Sequence, residues 1–283
     1  MSTVAQNVRI TGPSIDFGNL TGLIGTWQGS NGFNMIAVPD QKGDFGLLVA
    51  PYTETLTVNA VPATTPNRGL IVIENIPTLQ YATTINNSQD GSLMHVECGF
   101  WELLQYPERN AGFDIFRIAS VPHGDAVEAM GNSFVTKEAP VIDPDFPGTP
   151  TGDLPPLAGY TDPYGFPYAF PDFKPDAPNQ TLIDYLNGQI KSGLKVTKTV
   201  TLQVSTQNRG GINNIASLQT NANPIQFDAI FWLEWLEDAN GNVTQQLQYS
   251  QRILMNFPIK SDLSGQTITW PHINVNTLTL TSS

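Results

Sequence analysis

The chain has little with which to build a disulfide or a metal cluster. Its single cysteine, Cys98, excludes an internal disulfide, a cysteine-based zinc site and an iron–sulfur cluster. Charge is also scarce: 13% of the 283 residues are charged, against 40% hydrophobic. Only 13 are Lys or Arg and 25 are Asp or Glu, which gives a formal net charge of −12. A surface so poor in base does not suit phosphate, so neither nucleic acid nor an anionic membrane is expected as a partner. No apolar run reaches the ~18 residues of a membrane span, and no basic start leads into an apolar segment. The expectation is a soluble, cytoplasmic protein. Gly-x-Ser-x-Gly, a Walker loop and a Gly-x-Gly-x-x-Gly before a helix are all lacking. Histidine is scarce too, with only His95, His123 and His272.

What is present is β-rich. Alternating runs recur along the chain: Ile24 to Gly29, Asn34 to Val38, Phe45 to Val49, Tyr52 to Val58, Leu70 to Glu74, Leu79 to Ile85 and Leu93 to Leu104. After Phe113 to Ala119 and Ala126 to Phe134, they resume at Val196 to Ser205, Gln226 to Glu237, Gln245 to Phe257 and Thr267 to Leu280. Asp90-Gly91 and Asn240-Gly241 read as tight hairpin turns. About ten strands with little helix predict an all-β antiparallel barrel or sandwich. Asp16 to Leu23 reads as a turn or 3₁₀ segment, and residues 1–15 as a loose polar arm. One helix is predicted over Gln180 to Lys191, where Leu182, Ile183, Leu186 and Ile190 stand near helical spacing.

Residues 139–178 hold eleven of the chain's 22 prolines and seven aromatics. Proline removes ladder donors, so this stretch is not a sheet. Tyr160, Tyr164, Phe166, Tyr168, Phe170 and Phe173 are more aromatics than a disordered linker carries. The whole chain, residues 1–283, is therefore read as a single barrel domain. An ordered Pro-rich insertion with its short helix, residues 139–191, would lie across the barrel or serve an interface. A tethered linker is the other reading.

Four segments could carry chemistry. In Gly25-Thr26-Trp27-Gln28-Gly29 the glycine permits a tight bend and Trp27 plugs one barrel end. Period two puts His95, Glu97 and Trp101 on one face of their strand, and Met94, Val96, Cys98 and Phe100 on the other. His95 and Glu97 are then either a network beside a ligand or a polar pair bracing the barrel. Pro122-His123-Gly124 reads as a turn, which leaves His123 at a rim, exposed or lining an opening. In Trp270-Pro271-His272, proline extends the chain into a last strand. That spacing permits a neutral, stiffly held imidazole to ligate haem iron but does not demand it. Three histidines with Glu97 could also form a non-haem site, although nothing local brings them together.

The order of these motifs resembles the nitrobindin family, within the wider calycin group. The matching pieces are Gly25 to Gly29, Tyr52-Thr53-Glu54-Thr55-Leu56, Tyr81, and His95-Val96-Glu97-Cys98-Gly99-Phe100-Trp101-Glu102. Pro122-His123-Gly124 to Gly131, Leu247-Gln248-Tyr249-Ser250 and Pro271-His272 complete the set, covering residues 18–136 and 196–281. The resemblance implies a calycin-like barrel of ten antiparallel strands that binds haem b, with His272 as the iron ligand. It further places Trp27, His95 and His123 as candidate cofactor-binding residues. It implies interaction with NO or peroxynitrite and, if the protein is an enzyme, peroxynitrite isomerisation or weak peroxidase activity. The chain departs from the family in the Pro-rich insertion, in Asn208 to Pro224, and in Ser30 to Ile36, which borders the family's haem pocket. A different function remains open on the same barrel: haem-free carriage of a hydrophobic small molecule, as in lipocalins and fatty-acid-binding proteins. A third reading is an interaction protein whose insertion serves a homo-oligomer.

Overall fold

The fold is described from a computed structural model, over residues 15–39, 45–144, 151–152, 173–258 and 267–282. Residues 1–14 of the arm expected over residues 1–15 lie outside the described residues, as do Tyr160, Tyr164, Phe166, Tyr168 and Phe170. The strands are β1 (Gly25–Pro39), β2 (Phe45–Ala60), β3 (Thr65–Arg68), β4 (Ile73–Ile76), β5 (Thr78–Asn87), β6 (Leu93–Leu103) and β7 (Ile115–Val121). Then come β8 (Asp125–Thr136), β9 (Thr151–Gly152), β10 (Lys195–Asn214), β11 (Asn223–Glu237), β12 (Val243–Pro258) and β13 (Thr267–Ser282).

Ten of them close a barrel in the order β1-β2-β5-β6-β7-β8-β10-β11-β12-β13, and β13 returns to pair with β1. The pairings around the ring are antiparallel. Closure satisfies the edge N–H and C=O groups that an open sheet would expose. The short β9 adds only two residue pairs to β13. Asp90-Gly91 and Asn240-Gly241 turn where expected, with Gly91 and Gly241 at φ of 73° and 83°. Among the described residues no helix is long and apolar enough to cross a membrane.

Several strands run further than their alternation suggests. Ile24 to Gly29 and Asn34 to Val38 are one strand, because a bulge between Gly29 and Gly32 absorbs the phase slip against β2. Phe45 to Val49 and Tyr52 to Val58 likewise merge into β2. The run Leu70 to Glu74 is no single strand: Leu70 and Ile71 form the exposed tip of the β3–β4 hairpin.

The end of the barrel where β1 begins is closed. A 3₁₀ helix, Gly18–Leu23, lies there with Leu20 and Leu23 buried. Gly25, at φ 136°, turns the chain from this helix into β1. Trp27 is buried beside it, and its indole N–H donates to the Leu23 carbonyl at 2.8 Å. The expected aromatic plug is thus present.

A helix, α1 (Gln180–Lys191), covers the outside of the barrel. Its Leu182 packs with Trp232, Ile273, Val275 and Met35, and its Leu186 with Val196 and Leu236. Gly193, at φ 101°, follows the helix end in the left-handed conformation that terminates helices. Phe173, just ahead of the helix, is buried and stacks on Phe33 at 5.0 Å. This cover explains β13. Its apolar Ile273 and Val275 face the helix layer, while His272 and Asn274 face the lumen. The strand is therefore buried on both faces, as a covered strand must be.

Candidate functional site

The lumen holds a cavity of about 530 Å³. That lies within the roughly 300–1,000 Å³ of small-molecule sites. Its wall is largely apolar, with Ile36, Ile85, Val127, Ile212, Ile253 and Met255 among the residues. The far end is stopped by Leu23 and the aromatic base. The other end lies among the rim residues His123, Asp125 and Leu218, the last from the short helix α2 (Ala216–Asn221).

All three histidines of the chain line this one cavity. His272 stands on β13 and His95 on β6, while His123 sits in the turn between β7 and β8. In a ring of ten strands, β13 and β7 are five places apart. His272 therefore faces His95 and His123 from the opposite wall.

His272 pairs across the ladder with Ile253. Its Nε2 lies 2.6 Å from Asn34 Oδ1 and 3.5 Å from Asn274 Nδ2. A ring Nε2–H that donates to the Asn34 oxygen leaves Nδ1 with the free lone pair. The side chain is only half-buried by area, but the remaining area faces the cavity. Desolvation, aided by the nearby His95 and His123, holds its pKa down to about 3. His272 is accordingly a neutral imidazole at any ordinary pH.

Across the cavity, the rings of His95 and His123 are 5.5 Å apart, and His123 is exposed at the rim. His95 Nε2 is 3.5 Å from Glu97 Oε2. Burial leaves the pKa of the neighbouring Asp125 carboxyl raised, although His123 and His95 oppose the shift.

Deeper in, two polar clusters form a waist. The Arg117 Nη2 donates to Glu97 Oε1 at 2.6 Å, its Nε to the Tyr81 hydroxyl at 3.2 Å, and its Nη1 to Gln251 Oε1 at 2.8 Å. The Tyr81 hydroxyl also donates to Glu97 Oε1. Gln251 is on β12 and Arg117 on β7, so this bridge crosses the barrel. Burial pushes the Glu97 carboxyl up, but the Arg117 charge and hydrogen bonds from His95 and Tyr81 bring it down to about 2. Burial by itself would lower the Arg117 pKa, yet Tyr81 and Glu97 raise it, so the charge persists. In the second cluster, Glu54 accepts from Tyr249 at 2.5 Å, Asn276 at 2.9 Å and Thr83 at 2.9 Å. Tyr249 in turn shares a 2.8 Å hydrogen bond with Tyr52. Desolvation raises the Glu54 pKa against these donors.

The structure thus brings His272, His95 and His123 together at one cavity. Trp27 is packed into the base, with its indole N–H on the Leu23 carbonyl of the 3₁₀ helix, and is not among the residues that line the cavity. His95, Glu97 and Trp101 do share the lumen face, as their spacing required. Among the described residues no cluster of three or more His, Cys, Asp and Glu side chains is placed to chelate an ion. Arg117 and Glu54 were not anticipated. Their signal was available: each interrupts an apolar alternation, Ile115-x-Arg117-x-Ala119 and Tyr52-x-Glu54-x-Leu56, at an inward position.

The class defined here is a closed ten-stranded antiparallel β-barrel with a histidine-lined internal cavity. No family model matches the chain, and no curated protein matches it. A solved structure, that of Rv2717c from M. tuberculosis, is similar at 13% identity and a TM-score of 0.46. The match covers 92% of this chain and 94% of that one. The chemistry of the site is argued from its own residues.

Proposed function

We propose that the barrel binds haem b through His272, in keeping with the nitrobindin resemblance. One observation carries this reading: the only three histidines, from distant parts of the chain, line a single, mostly apolar cavity, and His272 among them is neutral. The donor set fits the group. An axial imidazole must be neutral and oriented, and the Asn34 oxygen on Nε2 would fix the ring with Nδ1 free. A porphyrin brings four nitrogens of its own, so one side-chain ligand suffices where no chelating cluster is formed. The apolar wall would receive the macrocycle.

When bound, haem would supply a ferric centre for NO, peroxynitrite or a related small oxidant. The chain's own part is to hold His272 neutral, exclude bulk water, and present the His95 and His123 imidazoles on the opposite wall for proton transfer. A visible absorption titration with hemin tests this. A saturable Soret band in the parent is expected, and its absence would defeat the reading.

A second reading is favoured by the mostly apolar lining and by the engaged Nε2 of His272: a haem-free barrel that carries a hydrophobic small molecule. Its expected result is a co-purifying organic ligand with no Soret band.

A further inference from the structure

We propose that the inner part of the cavity is a subsite for an uncharged oxygen acceptor, a ketone- or quinone-type carbonyl, gripped by the Arg117 guanidinium. The same subsite rejects carboxylates. It concerns the haem-free cavity and requires only that this cavity admit a small molecule.

The first support is a donor count. A guanidinium carries five N–H groups. In Arg117 one goes to Tyr81, one to Gln251 and one to Glu97. One N–H on each terminal nitrogen is left without a partner among the described residues, although the side chain is only 6% exposed and lines the cavity. Buried donors seek an acceptor, and no oxygen of the described residues provides it here.

Charge then selects the acceptor. The Glu97 carboxylate already neutralises Arg117 at 2.6 Å. Among the lining residues Arg117 is the only Lys or Arg, against Glu54, Glu97 and Asp125. An incoming carboxylate would share a saturated cation with Glu97 in a dry site and lose its hydration without gaining a counter-charge. A carbonyl oxygen carries no charge to desolvate and can accept from a free N–H group.

The donor is also held still. The guanidinium carbon lies 5.1–5.5 Å from the ring centres of Tyr81, Trp101, Phe227 and Phe231. These rings clamp the fork and give a flat aromatic ligand an apolar seat.

The test is calorimetric titration of the haem-free full-length chain at pH 7 with three probes of matched size: acetylnaphthalene, ethylnaphthalene and naphthoate. Acetylnaphthalene should bind tighter than either of the others by about tenfold or more, as charge-assisted hydrogen bonds imply. In the paired variant Arg117→Met with Glu97→Leu, which leaves no lone buried charge, the preference for the ketone over the hydrocarbon should disappear. Naphthoate binding as tightly as the ketone would overturn the proposal. So would equal binding of ketone and hydrocarbon by the parent, or no binding of any probe. None of these results depends on the hemin titration, so the two proposals fail separately.

Discussion

The Arg117–Glu97 pair gives the sharpest stability forecast. Arg117→Met removes the cation and leaves Glu97 buried, still facing the Tyr81 hydroxyl and His95. Breaking a buried pair from one side costs about 3–5 kcal/mol. The pH side of the argument gives a similar figure. Glu97 falls from an ordinary 4.5 to about 2 in the folded protein. That difference corresponds to about 3 kcal/mol of stabilisation. Because the folded pKa is the lower one, this stabilisation is complete above pH ~4.5 and is lost as pH falls towards 2. The paired change Arg117→Met with Glu97→Leu removes both charges and should recover most of the loss, since apolar replacement of a buried pair is often neutral or better. Urea unfolding at pH 7 measures all three proteins. A single-variant loss below about 1 kcal/mol would refute the reasoning, as would a paired variant no more stable than the single one.

Glu234 gives the opposite pH signature. It is fully buried on the outer face beneath α1, accepts from Gln246, and has its Oε1 without a partner among the described residues. Desolvation lifts its pKa to about 7. Its raised value favours the fold below pH ~4.5 and costs stability as pH rises through 7, so Glu234→Gln should stabilise by up to about 3 kcal/mol at pH 8 and little at pH 4.5, in paired thermal melts. Gly131→Ala should lower stability by about 3 kcal/mol or more in urea unfolding, because a Cβ there would stand 1.7 Å from the Gln203 carbonyl oxygen across the β8–β10 ladder. Leu182→Ala should cost about 2–5 kcal/mol by the same assay yet leave hemin binding unchanged, since Leu182 packs outside the barrel and not in its lumen.

Much of the fold was legible because local signals agreed with the final packing. The spacing of Leu182 and Leu186 set α1 at the bounds the structure shows. Period two on Leu93 to Trp101 put His95, Glu97 and Trp101 on one face, and the structure turns that face to the lumen. Other features depended on distant chain. Alternation could not show β1 as one strand, because the bulge between Gly29 and Gly32 resets its phase. Nor could the β13 pattern say which face is inside. The apolar residues Ile273 and Val275 point outward only because Leu182 of α1, about ninety positions earlier in the chain, covers them. A barrel without that cover would turn the same residues inward. Arg117 was overlooked for a related reason: one base in an apolar strand has no sequence neighbour to explain it, and its partners Tyr81, Glu97 and Gln251 come from three other strands.

The account centres on His272 as a ligand presented to the cavity. The most direct measurement is a hemin titration, followed at the Soret band, of the parent, of His272→Ala, and of His272→Ala with added imidazole. The account predicts a saturable band at one haem per chain in the parent, its loss or shift in the variant, and its restoration by imidazole entering the vacated space. No saturable band in the parent, or an unchanged band in His272→Ala, would contradict it.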